Sequence, residues 1–157
     1  MPTPEAASRI YPFLWFQSEA EQAAHFYVSV FPNSRILSEF RSPVDLPSGP
    51  AGSILTITFQ LDGLKFVALN GGPHQAFTDA LSLVVPCDTQ DEIDHLWAHL
   101  TEGGSETACG WLRDRFGISW QIVPTRLTDY LKHPKAMQAM MGMKKLDIPT
   151  LEAAANS

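Results

Sequence analysis

The sequence predicts an α+β protein built from two copies of one strand–helix–three-strand (βαβββ) module. Three observations predict it. Short apolar runs that alternate with Thr, Ser and Gln flank two stretches of helical periodicity. Asp62-Gly63 stands between two such runs, a strong hairpin signal. His25-Phe26 in the first helical stretch is matched by His95-Leu96 seventy residues later in the second, the mark of an internal repeat.

The elements follow in order. Ile10 to Phe16 is aromatic-rich and reads as a strand. Ser18 is placed to cap a helix, with Glu21 three residues on to close a capping box. That helix carries Ala23, Ala24, Phe26, Tyr27 and Val30 at three- and four-residue intervals and ends at Pro32-Asn33. Ser34 to Phe40 is a second strand, and the Pro- and Gly-rich stretch 43–52 is an irregular loop. Ile54 to Leu61 and Leu64 to Asn70 are the arms of the hairpin, and Gly71-Gly72-Pro73-His74 leaves the sheet. The second copy runs through a strand at Leu81 to Val85 and a helix capped by Asp88 with Asp91. Short strands follow near Ser105 to Ala108, at Trp111 to Arg113 and at Ile118 to Val123. Thr125 to Leu131 and Pro134 to Met143 read as short helices, Pro134 suiting a first turn. Leu146 to Leu151 has no periodicity of its own and is expected to be frayed or docked on a partner. The organisation is one domain over 1–157, with module one at about 9–73, module two at about 79–124 and a helical tail at 125–157.

Composition narrows the function. A chain of 157 residues with 45% hydrophobic residues is long enough for a real core. Eleven basic residues against seventeen acidic ones give a net charge of -6, which argues against a nucleic-acid partner because phosphate binding needs a concentrated basic footprint. The basic stretch Lys132 to Lys145 is interrupted by apolar residues and reads as a solvated helix face. No apolar run is long enough to span a bilayer, and the first residues lack the pattern of a secretory signal. Cys87 and Cys109 read as free thiols in a reducing compartment, so the expected location is cytoplasmic.

Several stretches together resemble one family. They are Pro12-Phe13-Leu14-Trp15-Phe16, the run from Ala24 to Ser34, and Phe66 to Pro73. Cys109-Gly110-Trp111-Leu112 with Asp114 and Phe116-Gly117 belongs to the set, as do Ser119 to Pro124, Met140-Met141 and Lys144 to Ile148. The chain resembles the vicinal oxygen chelate superfamily, which includes glyoxalase I, extradiol dioxygenases and bleomycin resistance proteins. Within it the likeness is to the PhnB-like branch, often labelled 3-demethylubiquinone-9 3-methyltransferase. The resemblance implies two βαβββ modules whose mostly antiparallel sheets curl into half-barrels around a cavity, and it implies a homodimer. It also implies that active members hold one divalent metal with His, Gln or Glu from the first and last strands of each module.

The matching strands carry few such donors. Ile10 to Phe16 and Leu81 to Val85 have none, and His74 lies past the end of its strand. Gln121 stands where the resemblance places a metal-binding Glu in other members. A catalytic metal wants about three protein ligands and an open position, so no cofactor is expected, with a divalent metal kept as the alternative. His95 and His99, four apart, could share a metal on one helix face, but with no third donor nearby in sequence they are expected to be solvated, and His25 and His95 are expected to flank the sheets. The ligand-binding candidates are Phe13, Trp15, Asn70, His74, Ser82 and Gln121. The resemblance aims Phe13, Trp15 and Gln121 at the cavity. Asn70 either enters it or caps the turn into Gly71-Gly72, and His74 either binds a polar ligand group or faces solvent. Trp120, with Ile118 and Ile122, is expected to pack against a helix.

No catalytic residue is assigned. Ser82 lacks a base in sequence reach, and the chain has no G-x-G of the kind most methyl-donor enzymes use after a first parallel strand. The expected function is a small-molecule-binding protein of the vicinal oxygen chelate type, without a catalytic metal. The alternatives are an enzyme of unassigned, metal-assisted reaction and a structural or regulatory homodimer. The Met-rich run from Met137 to Met143 is a candidate contact surface for the second copy.

Overall fold

The structure, a computed structural model, describes residues 8–73 and 76–157. It resolves into two compact units that divide between residues 75 and 76. Each unit is one module of the predicted repeat, and the C-terminal helices belong to the second.

In the first unit β1 (Phe13–Phe16), α1 (Ala20–Val30), β2 (Arg35–Arg41), β3 (Ile54–Leu61) and β4 (Leu64–Asn70) form a four-stranded sheet of order β1-β4-β3-β2 with one helix. β1 runs parallel to β4, and the other two pairings are antiparallel. Asp62 and Gly63 have φ of 48° and 86°, the positive pair that a two-residue hairpin turn matching strand twist requires. α1 buries Ala20, Ala23, Ala24, Tyr27 and Val30. They pack on Ile57, Phe59 and Phe66, and the rings of Tyr27, Phe59 and Phe66 stack in a row. Burying one such side chain contributes on the order of 1.5–3 kcal/mol, so this seam holds the helix to the sheet.

The second unit repeats the order. β5 (Ser82–Cys87), α2 (Gln90–Thr101), β6 (Ser105–Glu106), β7 (Trp111–Arg113) and β8 (Ser119–Pro124) build a sheet of order β5-β8-β7-β6, again with one parallel pairing. Neither sheet closes into a barrel. α2 buries Ile93, Leu96, Trp97 and Leu100. As expected, Ile118, Trp120 and Ile122 are buried, and Trp120 and Ile122 lie on the helix side of β8 with Leu112.

Three expectations need correction. Ser18 does not cap α1. The free N–H of Ala20 is taken instead by Asn70 Oδ1 at 2.9 Å, from a strand fifty residues away. α2 is capped one residue later than predicted: Thr89 Oγ1 accepts from Glu92 N at 3.2 Å, and Asp88 turns to accept from the Thr125 hydroxyl. The tail is neither frayed nor aperiodic. After α3 (Leu127–Leu131) and α4 (Pro134–Met141), α5 (Ile148–Ala155) packs back with Leu151 fully buried beside Tyr130, Ala136 and Leu146. The Gln90 side chain ties it down, donating to Leu146 O at 3.0 Å and accepting from Ile148 N at 2.7 Å. Met140 and Met143 join this cluster, while Met137 and Met141 stay exposed. Among the described residues no helix is long and apolar enough to cross a membrane.

Candidate functional site

Each sheet has one face covered by its helix and one without. In β1 the alternation puts Leu14 and Phe16 on the helix side and leaves Phe13 and Trp15 on the other, 55% and 45% exposed. The register sets Phe13 beside Val67 and Trp15 beside Leu69, with Thr56 and Thr58 next across β3. The Trp15 indole does not swing free. Its Nε1 donates to Gly72 O at 3.1 Å, and the ring lies against Gly71. A Cβ at Gly71 would stand 2.2 Å from Nε1, so only glycine lets the indole lie there. At the edge of the face the Lys65 ammonium sits 4.2 Å from the Tyr11 ring centre, a cation–π contact.

On the second sheet the helix-free face is mixed, with Val84 and Trp111 standing on either side of Gln121 in the strand register. Gln121 and Ser82 lie on it together, and the Gln121 amide donates to Ser82 Oγ at 2.9 Å. Beside them Ser119 pairs with Arg113 across the β7–β8 ladder. Asp79, from the segment before β5, accepts from Arg113 at 2.9 Å and from the Ser119 hydroxyl. The guanidinium hydrogen bond, then the hydroxyl one, holds the Asp79 carboxyl below its ordinary range. The sequence reading missed this Asp79–Arg113–Ser119 group. The Arg113–Ser119 pairing was open to inference from a short hairpin, but no sequence signal links either to Asp79. The hairpin is fixed from beneath by Asp114, only 3% exposed. Its carboxylate accepts from Phe116 N at 2.8 Å, Ile118 N at 3.1 Å and Trp120 Nε1 at 2.8 Å.

The other candidates separate. Asn70 caps α1 and also donates to Ile54 O at 3.1 Å, so both ends of its amide serve the backbone. It does not cap the Gly71-Gly72 turn. His74 lies outside the described residues. His25 and His95, expected to flank the sheets, are both exposed on the solvent side of their helices. Burial pushes the Cys87 thiol up to about 12, with Glu92 and Asp88 adding to it, so it is not a nucleophile near neutral pH. A cleft of about 400 Å³ opens between α3 and α5, lined by Arg126, Tyr130, His133 and Glu152 among others. Tyr130 donates to Glu152 at 3.0 Å, and burial and that carboxylate raise its phenol pKa. None of the predicted residues among those described lines this cleft.

Among the described residues the donors do not fit the divalent metal that the superfamily implies. Among the described residues no three His, Cys, Asp or Glu side chains come together. On the helix-free face of the second sheet the predicted donors are the Gln121 amide oxygen and the Ser82 hydroxyl, two weak neutral ligands where about three are wanted.

Residues 8–123 match the family model described as 3-demethylubiquinone-9 3-methyltransferase. A solved PhnB protein of Bacillus cereus is 33% identical, with the match covering 74% of this chain and 99% of that one at a TM-score of 0.68. A Pseudomonas aeruginosa protein is 19% identical over 75% of this chain and 98% of its own, at 0.63. The fosfomycin resistance protein FosX of Listeria monocytogenes, solved with manganese(II) and sulfate, is 15% identical over 79% and 97%, at 0.55. These last two share the fold alone. No curated protein matches the sequence. Two four-stranded sheets of this kind are the mixed α+β fold of glyoxalase and bleomycin-resistance-like proteins, and the chain belongs to the PhnB-like, 3-demethylubiquinone-9 3-methyltransferase family of the vicinal oxygen chelate superfamily.

Proposed function

We propose that this chain is a small-molecule-binding protein that works without a catalytic metal. The observation that carries the reading is the aromatic platform of the first sheet. Phe13 and Trp15 are half-exposed on a helix-free face, and the indole is locked in place by Gly72 O and the bare Gly71. A rigid, exposed aromatic pair gives an apolar or aromatic ligand a prepared surface at little entropic cost. On the second sheet Gln121 is oriented by Ser82, and its Oε1 carries no hydrogen bond among the described residues, so it offers an acceptor to a polar ligand group. We argue each face by itself. Asn70 is committed to the backbone, and His74 keeps its place as a candidate on sequence grounds.

A methyl-transfer activity, as the family description names it, lacks support from the residues. There is no G-x-G, and neither sheet is the parallel, doubly wound kind that holds a dinucleotide at its crevice. An enzymatic reading comes from FosX, the manganese-bearing resistance protein of the same fold. The two thiols are unpaired, in keeping with the cytoplasm. A homodimer is part of the proposal. Apolar side chains such as Ile10, Phe40 and Met141 stand exposed and would be covered by a second copy.

The test is a screen of untagged protein against small aromatic and apolar compounds by NMR, together with native mass spectrometry. Binding that weakens in Trp15→Ala or Gln121→Ala while the fold persists supports the proposal. A metal that co-purifies one per chain and is lost in Gln121→Ala would transfer the case to the metal-assisted enzyme. A monomer mass that does not change on concentration would remove the dimer.

A further inference from the structure

The solvent face of α2 carries a second feature, unrelated to either sheet face. His95 and His99 stand four residues apart, both exposed, with ring centres 4.2 Å from each other. Side chains at this spacing lie one above the other on a helix. The contact between His99 Nδ1 and His95 O, at 2.8 Å, settles the tautomer of one ring. A carbonyl oxygen only accepts, so Nδ1 carries the proton and donates, and the lone pair is on Nε2. Anchoring one ring nitrogen to a carbonyl while the other points outward is the arrangement that prepares histidine as a metal ligand. His95 makes no hydrogen bond through its ring among the described residues, so either nitrogen is available to turn toward the same point.

We infer that His95 and His99 chelate one divalent transition-metal ion on the surface of α2. Two neutral imidazoles select nickel(II), copper(II) or zinc(II) over manganese(II), magnesium or calcium, which prefer oxygen. Among the described residues no third His, Cys, Asp or Glu joins the pair, so water fills the remaining positions and the ion exchanges readily. The site is peripheral. It bridges successive turns of a helix whose opposite face, Ile93, Leu96, Trp97 and Leu100, is packed on the second sheet. Occupancy therefore stabilises the second unit without touching Gln121 or Ser82.

Calorimetric titration of the untagged chain with nickel(II), at a pH above the imidazole range, tests the assignment, with a thermal melt at the same metal concentrations. One saturable site per chain and a rise in melting temperature are expected. Both should be lost in His95→Gln and in His99→Gln, and kept in His25→Gln and His133→Gln. The two ring positions are exposed, and circular dichroism establishes that the variants retain their helix content. Absence of saturable binding to the wild-type chain, or binding that survives in the His95→Gln/His99→Gln double variant, overturns the assignment. The proposed binding function fails or stands independently, since its own readouts are Trp15 and Gln121.

Discussion

Replacing Asp114 with Ala removes the carboxylate that holds the β7–β8 hairpin in shape. Three donors converge on it, from Phe116 N, Ile118 N and Trp120 Nε1, in a site only 3% exposed. A hydrogen bond to a charged group contributes about 1.5–3 kcal/mol, and buried donors left without an acceptor cost at the upper end of that range. The three share one acceptor group and do not add fully, so the loss is roughly 4 kcal/mol, among the largest single-residue effects. For a chain of this size each kcal/mol shifts the melting temperature by about 2–4 °C, giving a drop of roughly 8–16 °C. Asp114→Asn keeps an oxygen for the two backbone donors but turns an NH2 toward the indole N–H, for a loss of about 1–3 kcal/mol. Trp120→Phe should then cost less in the Asn background than in the wild type. Differential scanning calorimetry and urea titration read the wild type and the four variants. An Asp114→Ala chain that melts within about 2 °C of wild type, as an ordinary surface change would, refutes this account of the hairpin.

Gly71→Ala should displace the Trp15 indole, because the new methyl would lie 2.2 Å from Nε1. The emission attributed to Trp15, by difference from Trp15→Phe, should change, and an unaltered spectrum would mean that the ring has another resting place. Asn70→Ala should cost about 0.5–2 kcal/mol for the lost cap on α1, and a urea midpoint equal to that of the wild type would count against the cap. Asp79 has a depressed carboxyl pKa through Arg113 and Ser119. Its contribution to stability is therefore present above the ordinary carboxylate pKa and is lost as pH falls through the lower folded value. Carboxyl NMR should show Asp79 titrating below the usual range and moving back up in Arg113→Gln, and an unchanged titration in that variant would contradict the pairing.

Periodicity and turn chemistry carried most of the architecture. β3 and β4 fall at Ile54–Leu61 and Leu64–Asn70, as the alternation and the Asp62-Gly63 turn predict. The repeat predicted from His25-Phe26 and His95-Leu96 is seen in two sheets of matching strand order. These are local signals: side-chain period follows from backbone geometry, and a positive-φ turn fixes the register of the strands beside it. The caps were legible in type but not in place. Ser18 has the right chemistry, yet Asn70 reaches Ala20 N first because β4 lies beside β1, and nothing in the sequence near residue 20 encodes that. α5 was hidden for a similar reason. Eight residues of weak periodicity do not make a helix alone; Leu151 in a pocket made by Tyr130, Ala136 and Leu146, and the Gln90 amide on the backbone at 146 and 148, make this one. On the candidate site, the sequence by itself determined which face of each strand a residue occupies, so Phe13 and Trp15 share one face and Gln121 opposes Trp120. Only the tertiary structure decided partners: Gly72 O for Trp15, Ser82 for Gln121, Asp79 for Arg113 and Ser119, and Ala20 N at the start of α1 with Ile54 O at the start of β3 for Asn70. Facing is set by the two-residue period of a strand, whereas pairing depends on which segments far apart in the chain fold side by side.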